Sequence, residues 1–200
     1  MKQAAIAGFA AGVAMAIGGA LAAVSPSDTK PVPDMNAEVM NPMIGGQAML
    51  PDRDIMENMA ASPMHTTLVA ALKDSGVAGA LKTNGQFTVF APTNAAFAVA
   101  GNQPKSTLAR RMSYLIVPGK YDSVALLRVI NEAGGEAHLR TAEGGVLIAR
   151  MNGPTNILLM DERGNTADIA IYDVHDRNGI IHVVDRALEP GGAARQVAEK

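Results

Sequence analysis

Four histidines, a scatter of serines and a run of methionines are the side chains in this sequence with chemistry to offer; cysteine is absent. His182 stands in Ile180-Ile181-His182-Val183-Val184, where alternation puts Ile180, His182 and Val184 on one strand face. An imidazole there can serve as a base or ligand, or sit half-buried with its ring nitrogens bonded to backbone or hydroxyls. The second is expected, because buried polar groups need partners. Asp173-Val174-His175 supplies one carboxylate and one imidazole, short of the three or four ligands a stable metal site needs. With Asp176 and Arg177 beside it, His175 reads as part of a solvated turn. His65 flanks a helix start. The residue types of a Ser-His-Asp triad are all present, but no serine stands in G-x-S-x-G or a comparable elbow. Ser106, Ser113 and Ser123 read as caps or strand positions. No catalytic residue, metal ligand or cofactor is assigned. Seven of the twelve methionines lie between Met35 and Met64. Thioethers suit Cu(I), and Met40–Met43 and Met56–Met59 are three apart. The same spacing marks one helix face, and flexible Met fills gaps or makes adaptable contacts. Packing or partner contact is expected, with a weak copper site as the alternative.

The elements that must position these residues draw on a chain that is 48% hydrophobic and 18% charged, enough to bury a core. With 4% aromatic residues and no Trp, that core must come from Ala, Val, Ile, Leu and Met. A net charge of −2 without a basic stripe argues against a nucleic-acid partner. Lacking Cys, the chain has no disulfide, thiolate site or lipid-modified cysteine.

Lys2 precedes an apolar run, Gln3 to Val24, that ends in Ala20-Leu21-Ala22-Ala23. A basic start, an apolar stretch and a small-residue cleavage site read as a signal peptide over residues 1–23, cut after Ala22 or Ala23. Ala and Gly insert weakly, so no stable membrane span is expected after cleavage. The mature chain is expected to be secreted or periplasmic. Residues 24–50, rich in Pro and Met, read as a linker with one short strand near Gln47–Leu50. Residues 51–190 read as one domain and 191–200 as a flexible tail.

Within the domain, Asp52 or Asp54 caps a short helix through Met59, and a clearer helix runs Thr66–Ser75. Val77–Leu81 adds a further helical turn. Phe87–Ala91 is a strand ended by Pro92, after which Thr93 or Asn94 caps a short helix that seats Phe97. A helix follows over Ser106–Met112, with Arg110-Arg111 an exposed pair. Tyr114–Val117 is a short buried strand closed by Pro118-Gly119. Ser123 caps a helix, Val124–Ala133, that stops at Gly134-Gly135. The period then changes from 3.6 to 2. Ala137–Ala142 and Val146–Met151 flank Glu143-Gly144-Gly145, and Ile157–Met160 and Ala167–Val174 flank Glu162–Asn165; both read as hairpins. Ile180–Val184 follows Asn178-Gly179. Helices first and antiparallel strands later indicate an α+β domain.

Two boxes stand out, FTVFAPTNAAF (Phe87–Phe97) and NGIIHVVDRALEP (Asn178–Pro190). With Tyr114 and Val117-Pro118-Gly119-Lys120 between them, and HTTLVAALKDSG ahead, the chain resembles the fasciclin domain family over nearly its whole mature length. The resemblance implies a β-wedge of two small sheets with a helical layer. It implies an extracellular adhesion or interaction module of the bacterial secreted single-domain type, without enzymatic activity. The partner implied is an envelope or extracellular protein or polysaccharide, with an apolar small molecule such as a carotenoid or lipid as the alternative. The boxes carry over Phe87, Phe90, Pro92, Thr93, Asn94, Phe97, Tyr114, Pro118, Gly119, Asn178, Gly179, His182 and Asp185 as structural positions. Asp173-Val174 occupies the place of an Asp-Ile pair linked to partner binding in some animal members, and a partner surface is expected on the loops and on the Asp173-Val174 edge. The chain departs from the family at Leu115, where a His is usual, which favours apolar packing of that strand.

Overall fold

Where the apolar period is 3.6 the chain is helical, and where it is 2 the chain is sheet. The computed structural model describes residues 41–83, 85–97 and 104–192, all within one compact unit, Glu38–Lys200. The expected signal peptide, residues 24–40 of the expected linker (with Met35 and Met40) and residues 193–200 of the expected tail lie outside the described residues.

Two short strands, β1 (Met43–Ile44) and β2 (Gln47–Ala48), pair across Gly45-Gly46. Asp54 then caps α1 (Ile55–Ala61). Its carboxylate accepts the Glu57 N–H and Glu57 accepts the Asp54 N–H, each at 2.8 Å, so two of the open donors of the helix start are satisfied. α2 (Thr66–Ser75) stops where Gly76 turns left-handed, and a 3-10 turn spans Val77–Lys82. β3 (Phe87–Pro92), α3 (Lys105–Tyr114), β4 (Ile116–Pro118) and α4 (Ser123–Glu132) follow. Five strands complete the domain: β5 (Glu136–Arg140), β6 (Val146–Asn152), β7 (Asn156–Met160), β8 (Thr166–Asp176) and β9 (Gly179–Val184).

Four local expectations give way to tertiary contacts. Tyr114 ends α3, and the strand begins only at Ile116. The Tyr114 hydroxyl donates to Val146 O (2.7 Å) and accepts the Glu162 N–H (3.2 Å), which pins the end of the helix to the hairpins. Over residues 93–97 there is a turn in place of the expected helix start, closed by the Phe97 N–H on Thr93 O at 2.8 Å. Asp122, not Ser123, caps α4, accepting the Ala125 N–H at 2.7 Å. Finally, residues 41–50 are not linker. Ile44 and Met49 are buried in the core, and the Asn41 side chain bonds both backbone groups of His175.

The α+β class is as expected. The large sheet runs β4-β3-β9-β8-β7-β6-β5. β1-β2 forms a separate small sheet, and β8 is shared between the two halves of the large one. Thr166–Asp168 of that strand pairs with β7, and Ile169–Asp176 pairs with β9. β3 and β9 are parallel, while the other neighbours are antiparallel. All six residues of β9 are buried, and Val89, Phe90 and Ala91 of β3 are at most 1% exposed. Burial of each large apolar side chain here is worth about 1.5–3 kcal/mol, so these paired strands anchor the core.

Candidate functional site

The two signature boxes, ninety residues apart in sequence, are neighbours in space. β3 and β9 pair in register from Phe87↔Gly179 to Pro92↔Val184, with Phe90 beside His182. Gly179 permits this, because a Cβ there would lie 1.9 Å from Phe87 O. Asn178 joins three elements: it accepts the Ile55 N–H at the start of α1 (2.9 Å), donates to Leu81 O, and its carbonyl accepts the Phe87 N–H (3.1 Å). Thr88 donates to Gly119 O and accepts the Tyr121 N–H, holding the Pro118-Gly119 turn under β3. Asn94 accepts the Thr67 N–H and donates to Pro63 O and the Thr66 hydroxyl, so it caps α2, not a helix of its own. The Thr93 hydroxyl accepts the Ala96 N–H within the same turn. Asp185 accepts the Asp168 N–H.

His182 lies at the centre and is fully buried, not half-buried. Its ring stacks on Phe90 at 5.7 Å and meets the edge of Tyr172 at 5.9 Å. Nδ1 accepts the Asp173 N–H at 3.3 Å, so Nε2 carries the proton and donates to Tyr121 O at 2.8 Å. Burial lowers the imidazole pKa against the opposing pull of Tyr121 O and of Asp173 and Asp122. The ring is therefore neutral, and neither nitrogen is left to take or deliver a proton.

Opposite His182, β8 bulges. Ile171 pairs with Val183 and Val174 with Ile181, leaving Tyr172 and Asp173 across from one residue. Asp173 has φ 58°, the one non-glycine residue in the left-handed region among those described. Its carboxylate accepts both the Ser123 N–H (2.7 Å) and the Ser123 hydroxyl, at the first turn of α4. Ser, Asp and His thus meet, but the hydroxyl donates to the carboxylate and not to the imidazole. No nucleophile–base pair results.

The expected partner edge is consequently a structural joint. Val174 is fully buried, and Asp173 is committed to α4. His175 lies within β8, not in a solvated turn. Arg111 is buried, with its guanidinium 5.7 Å above the Phe97 ring and ion-paired to Glu189 at 2.9 Å; it is not half of an exposed pair. Arg110 pairs with Glu143 at 2.6 Å. Met49, Met56 and Met59 pack in the core, whereas Met43 is exposed. His65 precedes α2, buried, with its ring on the Ser62 hydroxyl. No group of three or more His, Asp or Glu suited to a metal exists among the described residues. Two surface recesses among the described residues are polar, one beside Asp54, Lys82, Gln86 and Arg177, the other beside Arg163, Asn165, Arg186 and Glu189. Neither is the apolar groove a carotenoid or lipid carrier would need. No helix among the described residues is long and apolar enough to cross a membrane.

Sequence reasoning passed over Asp176. It is 5% exposed, one carboxylate oxygen accepts the Asn58 side-chain N–H, and the other has no protein partner. Burial pushes its pKa up to about 7, with Asn58 and Lys120 pulling it down and Asp54 up. Position alone, between a strand and a turn, gave no sign of burial.

The sequence profile described as "Fasciclin domain" matches residues 63–190. The Synechocystis sp. protein sll1483 is 33% identical over 147 residues, covering 68% of this chain and 73% of that protein. Human periostin is 32% identical over 133 residues, 65% of this chain but 15% of periostin. Pig transforming growth factor-beta-induced protein ig-h3 is 26% identical over 68% of this chain and 19% of its own length. Among solved structures, the domain pair of the insect cell adhesion molecule Fasciclin I superposes with a TM-score of 0.56 at 18% identity, over 71% of this chain and 53% of that one. With the two boxes paired in space and the profile matching most of the described chain, this protein belongs to the fasciclin domain family.

Proposed function

We propose that this chain is an exported, non-catalytic interaction module that binds a protein or polysaccharide of the cell envelope, in the periplasm or outside the cell. The observation that carries the reading is the full occupation of His182, whose two ring nitrogens are both bonded to backbone groups. The polar atoms of the signature boxes serve the architecture in the same way, so what the fold offers to other molecules is its surface. The N-terminal export pattern and the likeness to a domain pair of a cell adhesion molecule support the same reading. With Val174 buried and the Asp173 carboxylate bonded to Ser123, the contact surface belongs to the loops and polar recesses instead.

Crosslinking in intact cells, followed by N-terminal sequencing of the purified protein, tests this. The expected result is a specific envelope partner and a chain beginning after Ala22 or Ala23. Turnover of a small-molecule substrate by the purified protein, with no envelope partner captured, would overturn it.

A further inference from the structure

In an Asn-Gly pair the side-chain amide is open to attack by the next backbone nitrogen, because glycine has no Cβ to hold the two apart. The pair occurs three times in this chain, at Asn84, Asn152 and Asn178. Asn84 lies outside the described residues. The fold treats the other two oppositely. Asn178 is held at both ends of its amide, Oδ1 by the Ile55 N–H and Nδ2 by Leu81 O, and Gly179 is buried against Phe87 O. Neither group is free to turn toward the other. Asn152-Gly153 instead stands where β6 turns into β7, and residues 152–155 are all exposed. Gly153 has φ 78°, and a Cβ there would meet nothing within 4 Å. Its N–H makes no hydrogen bond among the described residues. The nucleophile is thus free, and the amide has a single exposed anchor, Nδ2 on Asp168 Oδ1 at 3.1 Å.

That anchor belongs to a chain of bonds. Asp168 Oδ1 also accepts the Asn156 amide at 2.6 Å. Asn156 accepts the Tyr172 hydroxyl, which in turn accepts the Ile157 N–H. Together these bonds close the seam where β7 parts from β8 beyond the Leu158↔Asp168 pair. Hydrolysis of the Asn152 amide turns a donor to Asp168 into a second carboxylate beside it, and like charges set side by side repel.

We propose that Asn152 is a site of spontaneous deamidation, which loosens the β7–β8 seam as the protein ages. The Gly153 nitrogen attacks Asn152 Cγ. The new C–N bond closes a succinimide ring, the Cγ–Nδ2 bond breaks, and ammonia leaves with the proton from Gly153. Water then opens the ring at either carbonyl, giving aspartate or isoaspartate. The isoaspartate form adds a methylene to the backbone at the Asn152↔Asn156 pair. The step needs no enzyme or cofactor, and it does not rest on the identity of an envelope partner.

Peptide mass spectrometry of the purified full-length chain, aged in mild alkali with and without urea, tests it. Trypsin places the three pairs in separate peptides, residues 83–105, 151–163 and 178–186. In the native protein, 151–163 is expected to gain the mass of an amide-to-acid change and to contain isoaspartate, while 178–186 stays unchanged. In urea both are expected to change at comparable rates, because it is the fold that protects Asn178. Asn152→Gln, whose longer amide closes a ring far more slowly, is expected to remove the change from 151–163. Asn152→Asp, which introduces the charge directly, is expected to speed amide hydrogen exchange at Ile157. The site is overturned if 151–163 stays unchanged in the native chain, if 178–186 changes there as fast, or if the change survives Asn152→Gln. Exchange at Ile157 that Asn152→Asp leaves untouched would overturn the loosening of the seam.

Discussion

Asp176→Asn should stabilise this protein in mild alkali and destabilise it in acid. Asp176 is almost fully buried, with one oxygen on the Asn58 amide and the other without a protein partner. Burial raises its pKa from 3.8 to about 7. That difference corresponds to about 4 kcal/mol. Between the two values the native state holds a proton that the unfolded chain has released. Stability therefore falls as pH rises through this window, and the whole cost is present above about pH 7. Asparagine keeps the acceptor for Asn58 and removes the charge, but it buries an amide N–H pair in place of the unpartnered oxygen, at about 1–3 kcal/mol. The variant should be more stable than wild type by about 1–3 kcal/mol near pH 8, and less stable by about 1–3 kcal/mol near pH 4. Urea unfolding of both proteins at intervals across that range measures the difference, in which slopes from other groups cancel. Curves that stay parallel at all pH values would refute the reasoning, because a purely steric effect of the substitution has no pH dependence.

Three further outcomes follow from the site. His182→Phe keeps the aromatic packing but strands the Asp173 N–H and Tyr121 O. It should cost about 2–5 kcal/mol in urea unfolding and flatten the loss of stability as pH falls below 6.5, where the unfolded imidazole takes a proton that the native ring resists. Asn94→Ala should lower stability by about 1–2 kcal/mol in thermal unfolding through loss of the α2 cap, with Asn94→Asp retaining the acceptor and most of the stability. Tyr114→Phe leaves Val146 O and the Glu162 N–H without their partner and should cost about 1–3 kcal/mol, with faster amide hydrogen exchange at Glu162 as the local signature.

Local pattern was enough for what local physics decides. Alternation marked β3 and β9, a 3.6 period with Gly76 beyond it bounded α2, and Gly144 and Gly164 marked the tight turns of the two hairpins. The capping signals were legible too, although their targets were not. Asn94 looked like the start of its own helix, yet its acceptor serves Thr67, which is brought beside it only when the chain folds back. Ser123 looked like a cap, yet it answers to Asp173, fifty residues away in sequence.

What the sequence determined by itself is the period of each segment, its turns and the presence of the two boxes, because these depend on neighbours a few residues apart. Only the tertiary structure decided that the boxes lie parallel and side by side, that His182 is sealed between Phe90 and Tyr172, that Val174 is buried and that the Asp173 carboxylate binds Ser123. Burial and hydrogen-bond partnership arise between segments distant in the chain, and an imidazole or carboxylate acquires its character only when those segments meet.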